Sequence, residues 1–293
     1  MNIFIVLGAT AAFAGLPIVA QVADPAPIST VTTVAPTKVL TIIEENHSYA
    51  EMKAGMPYLF GLSKRYGYAS DWTAISHPSL PNYLALTGGS TFGVTDDSPP
   101  SSNAWRVGTA RSVFDQAINA GKTAKTYAES MPSNCRLTDS NPYAVRHNPW
   151  PYFSSSRLRC NTYDVPFSAF ASAATHNKLP NVGVVIPNLC KDAHDCSLAT
   201  ADNFLKAILP RVLSSSNFTS GRLVVIVTAD EDDRSSGNGN KVLTSVLSTR
   251  LTGKVVSTHL THYSWTRYMA QVLRVSPLRA GRSAPNMKAA FGL

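Results

Sequence analysis

The sequence predicts a layered α/β domain, and three features carry that prediction. Apolar, β-branched runs recur at Lys38–Ile43, Asn181–Ile186, Leu223–Thr228 and Lys254–Val256, mostly continuous rather than alternating, as in strands buried on both faces. Segments with helical spacing lie between them, at Ser112–Ala120, Ala199–Leu213 and Tyr263–Leu273. Polar clusters follow the apolar runs instead of preceding them, and the carboxyl ends of strands are where open α/β sheets bind ligands.

Taken in chain order, residues 3–20 are apolar without a charged side chain and end in small residues, so residues 1–23 read as a signal peptide. An uncleaved anchor is the competing reading. A Pro-containing linker over 24–37 follows, then one domain over 38–293, since no charge-rich or low-complexity break divides the 293-residue chain. No second apolar run is long enough to span a bilayer, so the expected destination is outside the cell.

The first strand is followed by Glu44-Glu45-Asn46-His47. The strand ending at Ile186 leads into Pro187-Asn188 and then Asp192-Ala193-His194-Asp195, and the one through Val227 into Asp230-Glu231-Asp232-Asp233. Three strand ends thus bring acids, amides and imidazoles to one edge, a donor mixture suited to a hard metal or a phosphate group. Ser, Pro, Asn and Gly place residues 96–103, 131–159 and 234–240 in loops.

His77-Pro78-Ser79-Leu80-Pro81-Asn82-Tyr83 puts Ser79 at a helix start with Pro81 in the first turn. An anion there meets free backbone N–H groups and the positive end of the helix dipole. Ser followed by Pro is also an ordinary helix N-terminus.

Cys135, Cys160, Cys190 and Cys196 are an even set with three possible pairings; joining sequence neighbours needs the least chain closure. Their spacing lacks the short gaps of a structural zinc cage. A formal net charge of +8 favours anionic ligands. Its Lys and Arg residues are scattered singly, with no basic run interleaved with aromatics, which argues against nucleic acid as partner.

Ser79-Leu80-Pro81-Asn82 with Thr87-Gly88-Gly89 resembles the nucleophile segment of the alkaline phosphatase superfamily. Glu45-Asn46-His47-Ser48 resembles the Glu-Asn opening of its phosphoesterase branch, which contains acid phosphatases and phospholipases C. Three further segments are similar to that branch in the same order: Arg146-His147-Asn148-Pro149-Trp150, the Pro-Asn segment with Asp192-Ala193-His194-Asp195, and Thr228-Ala229-Asp230-Glu231. The resemblance runs from about Lys38 to Leu273 and is nearest to small secreted bacterial acid phosphatases, some of which act on phosphatidylinositol 3-phosphate.

That resemblance implies an alkaline-phosphatase-like three-layer αβα sandwich with a largely parallel central sheet. It implies a divalent metal ion held by Glu45, Asn46, Asp230, Glu231 and Asp192, with Ser79 as nucleophile forming phosphoserine and His147 and His194 as catalytic histidines. Asn82 and His262 are the implied phosphate ligands. The expected substrate is a phosphomonoester, including phosphoinositide or another anionic lipid headgroup. The alternatives are a phospholipase C-type phosphodiesterase and, from another class, a non-catalytic secreted anion-binding module.

Overall fold

The computed structural model describes residues 1–5, 8, 35–234, 237 and 239–293. The expected leader and linker lie outside the described residues except for 1–5, 8 and 35–37. Residues 33–293 form one compact unit. No helix of the described residues is long and apolar enough to cross a membrane.

Ten strands are present among the described residues: β1 Lys38–Glu44, β2 Gly67–Ala69, β3 Trp72–Thr73, β4 Ala124–Ala128, β5 Asp164–Pro166, β6 Val182–Ile186, β7 Leu223–Ala229, β8 Thr244–Leu247, β9 Lys254–Val256 and β10 Leu260–Thr261. Eight of them form one sheet in the order β5-β4-β6-β1-β7-β8-β2-β9, and β3 pairs with β10 apart from it. Every pairing in the large sheet is parallel except those of β8, which runs against both β7 and β2. The central strands β1, β6 and β7 are continuous Val/Ile/Leu runs because helices cover both their faces.

On one face lie the helices Ser79–Gly88, Val113–Asn119 and His262–Leu273, packed on one another. The other face carries Tyr49–Gly55, Pro57–Arg65, Ser168–Thr175 and Leu198–Leu213. The result is the expected three-layer αβα sandwich with a mostly parallel sheet.

Two loop expectations give way. Pro100–Val107 is helical, with Pro100 pre-set for the first turn where its missing N–H costs nothing. Residues 131–159 contain three short 3-10 turns and the start of the helix Arg157–Tyr163. The cysteines pair as sequence neighbours, Cys135–Cys160 and Cys190–Cys196.

Candidate active site

Strand alternation separates Glu44, which ends β1, from Glu45, which follows it. Thr41 accepts a hydrogen bond from Trp265 Nε1 at 2.8 Å, so Thr41 faces the helix His262–Leu273. Glu45, four residues on, faces the same layer and meets Ser79. Glu44 faces the other layer; burial, with Asp192 and Asp202 nearby, pushes its pKa well up. Asn46 then turns the chain at φ +46°, a left-handed conformation that Asn tolerates better than most residues.

Ser79 opens the wholly buried helix Ser79–Gly88 and is 2% exposed. Its Oγ donates to Glu45 Oε2 at 3.0 Å, while the Tyr83 hydroxyl, one helical turn on, donates to Glu45 Oε1. The helix N-terminus is not wholly open to an anion as the sequence suggested: Asp97 Oδ1 accepts from the Leu80 N–H at 2.9 Å.

His147 lies in a buried sandwich. Its ring stacks on Tyr83 with centroids 5.5 Å apart, Nε2 is 3.3 Å from Glu45 Oε2, and Nδ1 is 3.3 Å from Asp192 Oδ2. Burial, then the neighbouring Arg146 and His194, holds this imidazole well below its ordinary pKa, so it is neutral near pH 7. A neutral imidazole carries one N–H, yet both nitrogens face carboxylate oxygens. One of those contacts needs a proton or a cation between its atoms.

Asp192 is fixed by accepting from the His194 N–H at 2.8 Å, and its carbonyl accepts from the Glu45 N–H at 2.8 Å. Asp230 Oδ1 accepts from the N–H groups of Asn46 at 3.2 Å and Glu231 at 2.7 Å. Burial raises the pKa values of Glu45, Asp192, Asp230 and Glu231, and mutual repulsion adds to the rise at Glu45 and Glu231.

The donors fit a divalent cation. Glu45, His147 and Asp192 each offer a ligand atom, and these atoms lie within 4.8 Å of one another. Asn46 Oδ1, His147 Nε2, Asp192 Oδ2 and Asp230 Oδ2 are buried without a hydrogen-bond partner among the described residues. Unpartnered acceptors and repelling carboxylates in one buried place are what a hard or borderline cation relieves.

Several expected residues stand elsewhere than foreseen. His147, implied as a catalytic histidine, is enclosed among ligand-type groups as a neutral ring, the place of a ligand rather than of a proton donor. Glu231 turns from the Glu45 cluster to accept from Asn82 Nδ2 at 3.0 Å and to meet His77 Nδ1 at 3.0 Å. Asn82 is spent on the protein, its Oδ1 accepting from the Ile75 and Ser76 N–H groups at 2.9 and 3.0 Å.

His262 is likewise not free for phosphate: Trp72 Nε1 donates to its Nδ1 at 3.1 Å, and its Nε2 donates to the Asp230 carbonyl at 2.6 Å. Burial lowers its pKa to about 4, consistent with that neutral tautomer. His194 remains part-exposed with Nδ1 2.7 Å from Asp195 Oδ1, and its ring centroid is 5.7 Å from that of His147.

Three residues escaped the sequence reading. His77 bridges Glu231 and Asp232, with Nε2 3.2 Å from Asp232 Oδ1. Arg146 places a guanidinium nitrogen 3.3 Å from His194 Nε2 and Nε 3.9 Å from Asp97 Oδ2, setting a cation beside the acids. Asp97 caps the helix. His77 and Arg146 each stood inside a segment already singled out, and that adjacency was the available signal. Beside His77 an open cavity of about 550 Å³ is lined by His77, Asp232, Arg234, Gly237, Gly239 and Asn240.

Residues 47–276 match the family described as the Phosphoesterase family. The phosphatidylinositol-3-phosphatase of Mycobacterium tuberculosis is 30% identical over 257 residues, covering 87% of this chain and 82% of that protein. The phosphate-repressible acid phosphatase of Penicillium chrysogenum is 32% identical over 81% of this chain and 59% of its own length. The chain thus spans a little over half the length of the fungal relatives. In structure it is similar to an alkaline phosphatase superfamily protein from Vibrio parahaemolyticus, with a TM-score of 0.58 at 10% identity over 84% of this chain and 68% of that one. That likeness shows the fold.

Proposed function

The chain belongs to the Phosphoesterase family, and from that premise we propose that it is a metal-dependent phosphomonoesterase of the acid-phosphatase kind in which Ser79 carries the phosphoryl group. The observation that carries the reading is the Ser79 hydroxyl, 3.0 Å from Glu45 Oε2 at the edge of the Glu45, His147 and Asp192 donor set. A silent anion binder has no use for a buried nucleophile aimed at a metal-type cluster.

Glu45, Asn46, His147, Asp192 and Asp230 are the residues that would hold the ion. Such an ion supplies Lewis-acid stabilisation of phosphoryl oxygens and favours an ionised hydroxyl. The steps assigned to the chain's own groups follow from their placement. Ser79 Oγ attacks phosphorus opposite the departing alcohol, and its proton has an acceptor in Glu45 Oε2. Arg146 offsets negative charge on the phosphoryl group. His194, part-exposed and oriented by Asp195, donates a proton to the leaving oxygen. Water then cleaves the phosphoserine and frees Ser79.

Two disulfides support an oxidising compartment, and with the leader-like residues 1–23 they support secretion. The test is hydrolysis of p-nitrophenyl phosphate beside bis(p-nitrophenyl) phosphate, with and without EDTA, by the native protein and by Ser79→Ala. The expected result is monoester turnover that EDTA abolishes and the variant lacks. An active, folded Ser79→Ala protein contradicts the mechanism, and a preference for the diester contradicts the substrate class.

A further inference from the structure

Away from the acid cluster, a basic groove of about 580 Å³ runs along the segment Ser154–Arg159, and the helix Pro100–Val107 packs on Ser154–Ser156 beside it. The groove is lined by Thr109, Arg111, Ser154–Arg159, Asp115 and Asn119. Two large apolar side chains stand in solvent on these elements, Leu158 in the groove lining at 82% exposure and Trp105 on the helix at 70%. Scattered exposed apolar residues need no explanation, but these two stand on adjoining elements, each next to arginine in the chain. Ser155 Oγ donates to the Ala110 carbonyl at 3.5 Å, tying the Leu158 segment to the end of the Trp105 helix.

The charge is one-sided. Arg106 lies over the Trp105 ring at 4.6 Å, Arg111 is exposed, and Arg157 and Arg159 line the groove. The one carboxylate of the lining, Asp115, is paired with Arg159 at 3.0 Å. An exposed indole and an exposed leucine on adjoining elements, with arginines among them, are the combination that seats in the headgroup region of an anionic bilayer. The Trp105 helix also continues the segment that serves the catalytic edge, because Asp97 caps the Ser79 helix and Trp105 is no more than about 18 Å further along the chain.

We infer that Trp105, Leu158 and the arginines around them form a docking surface for a membrane carrying anionic lipid. This rests on the phosphomonoesterase reading, since it presents the site with phosphate esters held in a bilayer. Binding is separable from turnover, so the two can fail independently.

The test is co-sedimentation of the full chain with vesicles of phosphatidylcholine alone and of phosphatidylcholine with phosphatidylserine, beside Trp105→Ala/Leu158→Ser and Arg111→Glu. The apolar N-terminal residues are common to all three proteins, so differences report the groove. The wild type is expected to favour the anionic vesicles, and each variant to bind them about tenfold more weakly. Turnover of soluble p-nitrophenyl phosphate is expected to stay unchanged. Variants that bind as the wild type does overturn the inference. So does a wild type that ignores anionic vesicles, a result that assigns the patch to a protein partner.

Discussion

Asp230 shows what a buried acid costs when it stands ready for a cation. Its Oδ1 is satisfied by two backbone N–H groups, and its Oδ2 has no partner among the described residues. Burial raises its folded pKa above the unfolded value, so ionisation opposes folding, and metal-free stability falls as pH rises through that window. Asp230→Asn keeps the bonded oxygen and removes the charge. The metal-free variant is therefore expected to melt above the metal-free wild type in mildly alkaline buffer. Losing partners of metal ligands alone costs ten- to a hundredfold, so its activity is expected to fall at least about a hundredfold. Thermal melts and rates on the same preparations check both. At this scale the sequence reading gathered Glu45 and Ser79 into one proposed site, and the structure places them 3.0 Å apart. That reading misled at His262 and Asn82, whose residue types suit phosphate but whose polar atoms are taken by Trp72, Asp230 and the backbone of Ile75 and Ser76. Such partners are set by folding and leave no mark in spacing.

The segment that delivers His147 is held from behind by a polar network. Asn148, its neighbour, donates to both carboxylate oxygens of Asp164 at 3.0 and 2.8 Å, the Thr126 hydroxyl donates to the same group, and the Cys135 N–H donates to the Asp164 carbonyl at 3.1 Å. Burial pushes the Asp164 carboxyl up to about 7. Its folded pKa therefore exceeds the unfolded one, and its contribution is fully present below the unfolded value of about 4 and lost as pH climbs to about 7. The wild type is expected to lose on the order of a few kcal/mol of stability across that window. Asp164→Asn should flatten the slope, as urea midpoints at several pH values will show. β1, β6 and β7 were legible because double-sided burial leaves unbroken apolar runs. β4, with Lys125 and Thr126 inside it, β5 with its proline and the two-residue β3 were not, since short strands take their form from their neighbours. The helix Pro100–Val107 hid behind turn-forming composition.

Across the molecule, a basic chain of net charge +8 surrounds an acidic centre, and the opposition suits the proposed enzyme, which would gather anions from solution and hold a cation within. Attraction of that kind is screened, so kcat/KM for a charged phosphomonoester is expected to fall as salt rises while kcat changes little. The Cys135–Cys160 bridge, with a sequence separation of 25, closes the loop that contains His147. Its removal by Cys135→Ser/Cys160→Ser is expected to cost roughly 3 kcal/mol, read as a lower denaturation midpoint. The layered architecture was legible from the alternation of runs and helices; the basic groove was not, because Arg111 and Arg157 are far apart in sequence. The central claim is that phosphate passes through Ser79. Acid quenching of the native protein during turnover, followed by peptide mass spectrometry, tests it most directly. One added phosphoryl group on the peptide bearing Ser79, absent from Ser79→Ala, is the predicted result; steady turnover with that peptide unmodified throughout would contradict it.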